Sequence, residues 1–176
     1  MSTPTPAAPD KPPTLVLGVG NLLMEDEGIG VHLVRALEAE YRFTPDIDLV
    51  DGGTAGLELI DKIDGREQVL ILDAVEFNME PGEVVHLRNG QIRTQLEDKM
   101  SLHHLGLTDV LSAAELLEIK PPKIHLIGIQ PQSLETRITL SPLLKRNLSE
   151  YIEIVLDQLG DWGIEAYRVQ SGEAAA

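Results

Sequence analysis

The chain has 176 residues, a formal net charge of −15 and no cysteine. Its length is typical of one domain and is sufficient to bury a hydrophobic core without covalent cross-links. The absence of cysteine excludes disulfides, thiolate metal sites and thiol nucleophiles. It also agrees with a reducing, cytoplasmic location. The negative charge argues against binding to nucleic acid or anionic membranes, and no apolar run is long enough to cross a bilayer.

The two ends of the chain differ from its middle in composition. Residues 1–13 are rich in Pro, Thr and Ala, and they lack the charged region and apolar stretch of a secretion signal. We therefore expect residues 1–13 to form a disordered tail and residues 170–176 to form a shorter one. Residues 14–169 contain no repeat and no linker, so we expect a single α/β domain.

Strands and helices alternate along this predicted domain. Apolar runs predict buried strands over 14–19, 47–50, 68–74 and 124–129. A more exposed strand is predicted over 83–87, with an antiparallel direction left open. Helical spacing of apolar residues predicts four helices. The first begins after residue 28, the second covers 55–63 with Thr54 as its N-cap, and the third covers 107–118. The fourth begins at Ser141-Pro142. This alternation is typical of a doubly wound, mostly parallel sheet with helices on both faces.

Acidic side chains collect where the predicted parallel strands end. Asp26 and Glu27 follow the first strand, Asp51 ends the second and Asp73 ends the third. Ligands of such sheets bind at this edge, and a carboxylate there needs a helix N-terminus, a cation or a metal as partner. A histidine pair at 103–104 precedes a predicted helix. Carboxylates with an imidazole are the ligands of an open transition-metal site.

The glycine-rich loops allow other interpretations. Gly18 to Leu23 begins like a dinucleotide-binding loop, but Leu23 replaces the third glycine and acids follow, so a simple strand-to-loop turn is favoured. Asp51-Gly52-Gly53-Thr54 fits equally a tight Asx turn or a backbone that a ligand approaches closely. The sequence contains no Gly-x-Ser-x-Gly elbow and no His-Glu-x-x-His helix, so nucleophilic catalysis is poorly supported.

Five motifs nevertheless occur in a fixed order. They are Leu17-Gly18-Val19-Gly20-Asn21 with Asp26-Glu27-Gly28-Ile29-Gly30, Asp51-Gly52-Gly53-Thr54, Leu72-Asp73-Ala74, Ser101-x-His103-x-x-Gly106-Leu107, and Ile127-Gly128-Ile129-Gln130-Pro131. Together they closely resemble the hydrogenase maturation endopeptidases, which process the large subunit of nickel-iron hydrogenases. The resemblance extends from about Leu15 to Ile164.

The resemblance implies a three-layer α/β/α sandwich with a five-stranded sheet. It also implies a metal-recognising cleft, and motif position assigns the metal ligands as Glu27, Asp73 and His103, with the Ser101 spacing selecting His103 over His104. Enzymes of this kind remove a short C-terminal extension from the large-subunit precursor after nickel insertion. The implied metal is nickel brought by the substrate, or zinc or another divalent ion in its place. The implied partner is that precursor, and we expect a monomer.

Two chemical routes remain open for such an enzyme. In the first route, the metal polarises the scissile carbonyl and lowers the pKa of a bound water. Alternatively, a carboxylate such as Asp26 or Asp51 acts as general base. The catalytic candidates are therefore Glu27, Asp73, Asp26 and Asp51. A non-proteolytic nickel chaperone, or a checkpoint that holds the precursor, is the alternative function.

Overall fold

The computed structural model describes residues 11–98 and 105–169. Its strands are β1 (Thr14–Val19), β2 (Tyr41–Thr44), β3 (Asp48–Gly53), β4 (Gln68–Ala74), β5 (Val84–Arg88), β6 (Lys123–Ile129) and β7 (Glu165–Arg168). Its α-helices are α1 (Ile29–Glu40), α2 (Ile60–Ile63), α3 (Gly90–Asp98), α4 (Leu105–Leu116) and α5 (Pro142–Asp161). Short 3-10 turns cover Glu25–Gly28 and Leu57–Leu59.

The central sheet has five strands in the order β3-β1-β4-β6-β5. β3, β1, β4 and β6 are parallel, whereas β5 is antiparallel to β6. Every residue of β1 is buried, as is all of β4 after its first residue, which is what their continuous apolar sequences predict. The predicted mostly parallel five-stranded sheet is therefore confirmed.

Two hydrophobic cores lie on opposite faces of this sheet. Alternate residues of β4 divide between them, with Leu70 and Leu72 in one core and Val69 and Ile71 in the other. The first core includes buried side chains of α1 and α5, and the second includes side chains of α2, α3 and α4. The molecule is thus a three-layer α/β/α sandwich, as expected.

Several local features differ from the sequence prediction. β2 and β7 pair as a separate antiparallel two-stranded sheet that was not predicted, because both strands are short and half polar. α3 was also missed, since its sequence is mostly polar and only one face contributes to the core. The predicted helix over 55–63 is shorter, because Thr54 provides no cap and helical structure begins with the 3-10 turn.

The beginning of α5 follows the sequence prediction. The Leu144 backbone N–H donates to Ser141 Oγ at 3.4 Å, and Pro142 occupies the first turn. α4 begins two residues before the predicted start at Leu107. None of the helices in the described ranges combines the length and apolarity that a membrane span requires.

The predicted N-terminal tail includes residues that make defined contacts. The Pro12 carbonyl accepts a 2.6 Å hydrogen bond from Arg66, and the Pro13 carbonyl accepts from the Glu67 and Gln68 N–H groups. These contacts attach the chain just before β1 to the start of β4. Residues 1–10 and 170–176, the rest of the predicted tails, lie outside the described residues.

Two histidines meet near the amino end of β6. His86 Nδ1 lies 3.1 Å from His125 Nε2, so one ring donates a hydrogen bond to the other. Burial lowers the pKa of His125 to about 4, and the nearby His86 and Arg88 add to this effect while Asp161 opposes it. Burial also lowers the pKa of His86. Both rings are therefore neutral in the folded protein at neutral pH.

This histidine pair predicts a loss of stability in mild acid. An unfolded histidine binds its proton near pH 6.5, whereas folded His125 binds it only near pH 4. The unfolded state therefore gains protons first, and the free energy of unfolding should fall by about 2–3 kcal/mol between pH 7 and pH 4.5. Urea unfolding at both pH values measures this loss. His125→Gln should lose distinctly less; an equal loss in both proteins would contradict the assignment.

Candidate functional site

The position of α1 depends on a very close approach to the sheet. A Cβ atom added to Gly30 would lie 2.0 Å from the Leu72 carbonyl oxygen and 2.5 Å from that of Val19. Only glycine fits there, since any side chain would force the helix away from the ends of β1 and β4. The close contact brings the loop between β1 and α1 beside the last residues of β4.

This β1–α1 loop (residues 20–28) folds back on itself. Gly20 has a φ of +133°, and a Cβ atom there would lie 1.9 Å from the Glu27 carbonyl oxygen. The Gly20 N–H donates to the Gly53 carbonyl at 2.9 Å, which joins the loop to the end of β3. The loop ends in the 3-10 turn Glu25–Gly28, and Glu27 therefore lies two residues before the start of α1.

Glu27 and Asp73 are electrostatic neighbours. Asp73 is the penultimate residue of β4 and is only 8% exposed. Burial raises the pKa of its carboxyl group well above the usual range, the Ala74 N–H opposes this, and the charge of Glu27 raises the pKa further. Glu27 itself is half-buried. The structure therefore brings together two of the three predicted metal ligands, from elements 46 positions apart in the chain.

Asp26 has a different environment from its neighbour Glu27. Its carboxylate is fully buried and accepts three backbone hydrogen bonds. The Ser141 N–H donates to Oδ1 at 2.8 Å, while the Gln132 and Ser133 N–H groups donate to Oδ2 at 2.9 and 3.1 Å. These donors all belong to the β6–α5 loop (residues 130–141). Asp26 thus fastens the β1–α1 loop to the β6–α5 loop.

Asp51 is also engaged, but at the surface. Its Oδ2 atom lies 2.8 and 3.0 Å from two nitrogen atoms of Arg35, and its Oδ1 atom accepts a 3.1 Å hydrogen bond from the Gly53 N–H. The second contact is the Asx turn that the sequence allowed. A Cβ atom on Gly52 would lie 2.9 Å from a Leu17 methyl group. Close packing against Leu17 therefore accounts for the first glycine of the Asp51-Gly52-Gly53-Thr54 motif.

His103, His104 and Ser101 lie outside the described residues, so the histidine ligand remains a prediction. Within residues 11–98 and 105–169, no group of three histidine or carboxylate side chains is arranged to hold a metal ion. The described chain resumes at Leu105, the first residue of α4. This helix packs against the 3-10 turn Leu57–Leu59, which follows β3.

Gln130 is a contributor that the sequence analysis did not assign. Its side chain is 9% exposed, and its Oε1 atom accepts hydrogen bonds from the Phe77 N–H at 2.8 Å and the Met79 N–H at 3.3 Å. These bonds hold the β4–β5 loop (residues 75–83), which directly follows Asp73. In the sequence, Gln130 appears only as part of the last of the five motifs. That motif does not indicate which groups the Gln130 side chain contacts.

Comparison with known sequences gives a consistent result. A family model described as hydrogenase maturation protease matches residues 31–158. The Hydrogenase 2 maturation protease of Escherichia coli strain K12 is 41% identical over 153 residues, covering 86% of this chain and 93% of that protein. The hydrogenase expression/formation protein HupD of Thiocapsa roseopersicina is 36% identical over 159 residues, covering 89% and 72% respectively.

Solved structures show the same similarity in three dimensions. The hydrogenase maturating endopeptidase HybD from Escherichia coli superposes with a TM-score of 0.82 at 40% identity, covering 88% of this chain and 96% of that one. The maturation protease HybD from Thermococcus kodakarensis gives a TM-score of 0.69 at 30% identity, covering 83% and 97%. The similarity therefore includes nearly the whole of both solved chains.

The contrast between Asp26 and Asp51 predicts different effects on stability. Asp26→Ala should lower the free energy of unfolding by about 3 kcal/mol, because it leaves one buried and two partly buried N–H groups without their charged acceptor. Asp51→Ala should cost less than about 1 kcal/mol, because its ion pair with Arg35 is solvent-exposed. Urea unfolding at pH 7 compares them. Equal losses would show that Asp26 does not anchor the two loops.

Proposed function

The chain belongs to the hydrogenase maturation protease family and is therefore a peptidase, and from this we propose that it removes a C-terminal extension from a hydrogenase large-subunit precursor after nickel insertion. The observation that carries the proposal is the pairing of Glu27 with buried Asp73 at the carboxyl edge of the sheet. Membership in a peptidase family disfavours a purely non-proteolytic nickel chaperone or checkpoint.

The paired carboxylates are suited to a divalent cation. Burial is the main cause of the raised pKa of Asp73, and the charge of Glu27 raises this pKa further, so ionised Asp73 is costly in this site. A cation bound by both carboxylates would offset this cost, and carboxylate oxygen with imidazole nitrogen suits Ni²⁺ as well as Zn²⁺. We propose nickel carried by the precursor as that cation. His103, two residues before α4 begins, is the proposed third ligand.

Contacts within the protein engage both carboxylate oxygens of two of the four acidic candidates, Asp26 and Asp51. Both oxygens of Asp26 accept backbone hydrogen bonds, and both oxygens of Asp51 are bound by Arg35 or the Gly53 N–H. Proton transfer from water to Asp26 would compete with its three backbone hydrogen bonds, and the Arg35 guanidinium beside Asp51 weakens that carboxylate as a base. We therefore assign substrate contact to Glu27 and Asp73, and positioning to Asp26 and Asp51. This favours activation of the scissile carbonyl or of a water by the nickel over a base at Asp26 or Asp51.

Under this proposal, the metal has two roles. It marks a precursor in which nickel insertion is complete, and it orients that precursor in the cleft. Nickel bound both by the precursor and by Glu27 and Asp73 would fix the scissile bond relative to the cleft. Such fixation converts an encounter between two molecules into a reaction within one complex. An immature precursor without nickel would lack this attachment.

Replacing Asp73 separates its proposed function from any structural role. Asp73→Asn should abolish cleavage of nickel-loaded precursor, since an amide is a poor nickel ligand. It should also raise the melting temperature by about 2–4 °C at pH 7, because it removes a carboxyl group that burial and Glu27 make costly to ionise in the folded protein. Intact-mass spectrometry of the precursor and thermal melting measure the two effects. Asp51→Asn, which leaves the cleft intact, should still cleave. Full cleavage by Asp73→Asn would refute the site assignment.

The role of the substrate's metal is tested with the wild-type enzyme. Precursor prepared without nickel should remain uncut under conditions in which nickel-loaded precursor is processed, because the attachment through Glu27 and Asp73 is missing. The loss of mass at the precursor's C-terminus gives the readout. Adding nickel to the metal-free precursor before the enzyme should restore cleavage. Efficient cutting of metal-free precursor would overturn the recognition model while leaving the peptidase activity established.

A further inference from the structure

Three large apolar side chains are exposed on the connections at the carboxyl edge of the sheet. Leu23 is 60% exposed in the β1–α1 loop, Leu57 is 60% exposed in the turn after β3, and Ile138 is 73% exposed in the β6–α5 loop. Each connection follows a parallel strand, so all three belong to the same edge as Glu27 and Asp73. We call Leu23, Leu57 and Ile138 the apolar rim.

Backbone hydrogen bonds hold the connections of the apolar rim together. Met24 and Arg137, the neighbours of Leu23 and Ile138, form a parallel β-bridge, and the Glu25 N–H donates to the Arg137 carbonyl at 2.8 Å. On the other side, the β1–α1 loop is bonded to the end of β3 through Gly20. A surface fixed in this way loses little conformational entropy when a partner binds.

Two exposed acidic side chains lie on connections at the same edge of the sheet as the apolar rim. Glu58 follows Leu57 directly, and Glu76 lies in the β4–β5 loop three residues after Asp73. Both are exposed, and neither makes a hydrogen bond or ion pair with another described residue. The chain as a whole carries a net charge of −15. A partner that covers this edge is therefore favoured when it presents basic side chains around an apolar patch.

We propose that the apolar rim is the surface on which the polypeptide substrate docks, with apolar side chains of the substrate against Leu23, Leu57 and Ile138 and with Lys or Arg opposite Glu58 and Glu76. The inference rests on the proposed function, because the occupant is the same precursor. Any polypeptide that brings a peptide bond to Glu27 and Asp73 must cross this edge. The rim adds affinity for the chain around that bond, independently of the metal.

The molecule contains a matched control surface. Leu116 and Leu117, at the end of α4, are 85% and 61% exposed. The chain passes from them through a short connection into the start of β6, so they lie toward the amino edge of the sheet, opposite the cleft. They have the same side-chain chemistry and comparable exposure, but they are outside the path of the substrate.

The test compares cleavage kinetics of nickel-loaded precursor by wild type, by the double variant Leu23→Ser/Ile138→Ser, by Leu57→Ser and by the control Leu116→Ser/Leu117→Ser. The double rim variant should raise KM about tenfold and leave kcat nearly unchanged, since it removes binding that is equal in the ground and transition states. Leu57→Ser should raise KM by a smaller factor. The control should match wild type, and thermal melting should show all four proteins folded.

Charge is tested separately with Glu58→Gln/Glu76→Gln. This variant should raise KM about two- to threefold at low salt, and the difference from wild type should shrink as salt is added. A rim variant with wild-type KM would overturn the docking surface while leaving the peptidase function intact. An equal rise of KM in the control would also overturn it. If wild type itself left the precursor uncut, the proposed function and this inference would both fail.

Discussion

The hydrogen bonds of Asp26 are the interaction on which the rest of the site depends. In the sheet, β1 and β6 are separated by β4, so the two strands do not pair with each other. Asp26 in the β1–α1 loop accepts three N–H groups of the β6–α5 loop and thereby joins connections that start on either side of β4. A buried carboxylate is tolerated there because charge-assisted hydrogen bonds replace its hydration. The joined loops flank the carboxyl end of β4, where Asp73 is buried.

Asp26 and Glu27 show how neighbouring acids acquire different roles. The 3-10 turn directs consecutive side chains to different surroundings, one into backbone N–H groups and the other toward Asp73. The first carboxylate stabilises the fold, whereas the second adds repulsion to a buried group. The Glu27–Asp73 pair thus violates a local rule of stability, and such violations are typical of functional sites.

The sequence predicts best what depends on local pattern. The continuous apolar runs identified β1, β4 and β6, and the Ser141-Pro142 cap identified the start of α5. β2, β7 and α3 were missed, because short or polar elements are stabilised by partners elsewhere in the fold rather than by their own periodicity. The strand-end rule correctly brought Glu27 and Asp73 to one edge.

The different roles of the acids could not be predicted in the same way. Asp26 was a candidate base in the sequence, and its anchoring role depends on donors 106 to 115 residues away. Sequence spacing contains no information about such contacts, nor about the Arg35 guanidinium that binds Asp51. The histidine position depends on motif order alone, since residues 99–104 are outside the described structure.

The proposed nickel cleft and apolar rim would solve different problems of recognition. Two carboxylates that bind a metal respond to its charge and ligand geometry, and these would be similar in every nickel-loaded precursor. Specificity is a difference in affinity between partners, so it must come from groups that contact what varies between them. The proposed rim would contact the polypeptide around the scissile bond, so its affinity would respond to differences between precursors there. Asp26 fastens the β1–α1 loop, which carries Glu27 and Leu23, to the β6–α5 loop, which carries Ile138. One buried carboxylate would therefore hold the proposed cleft and the apolar rim in fixed relative positions.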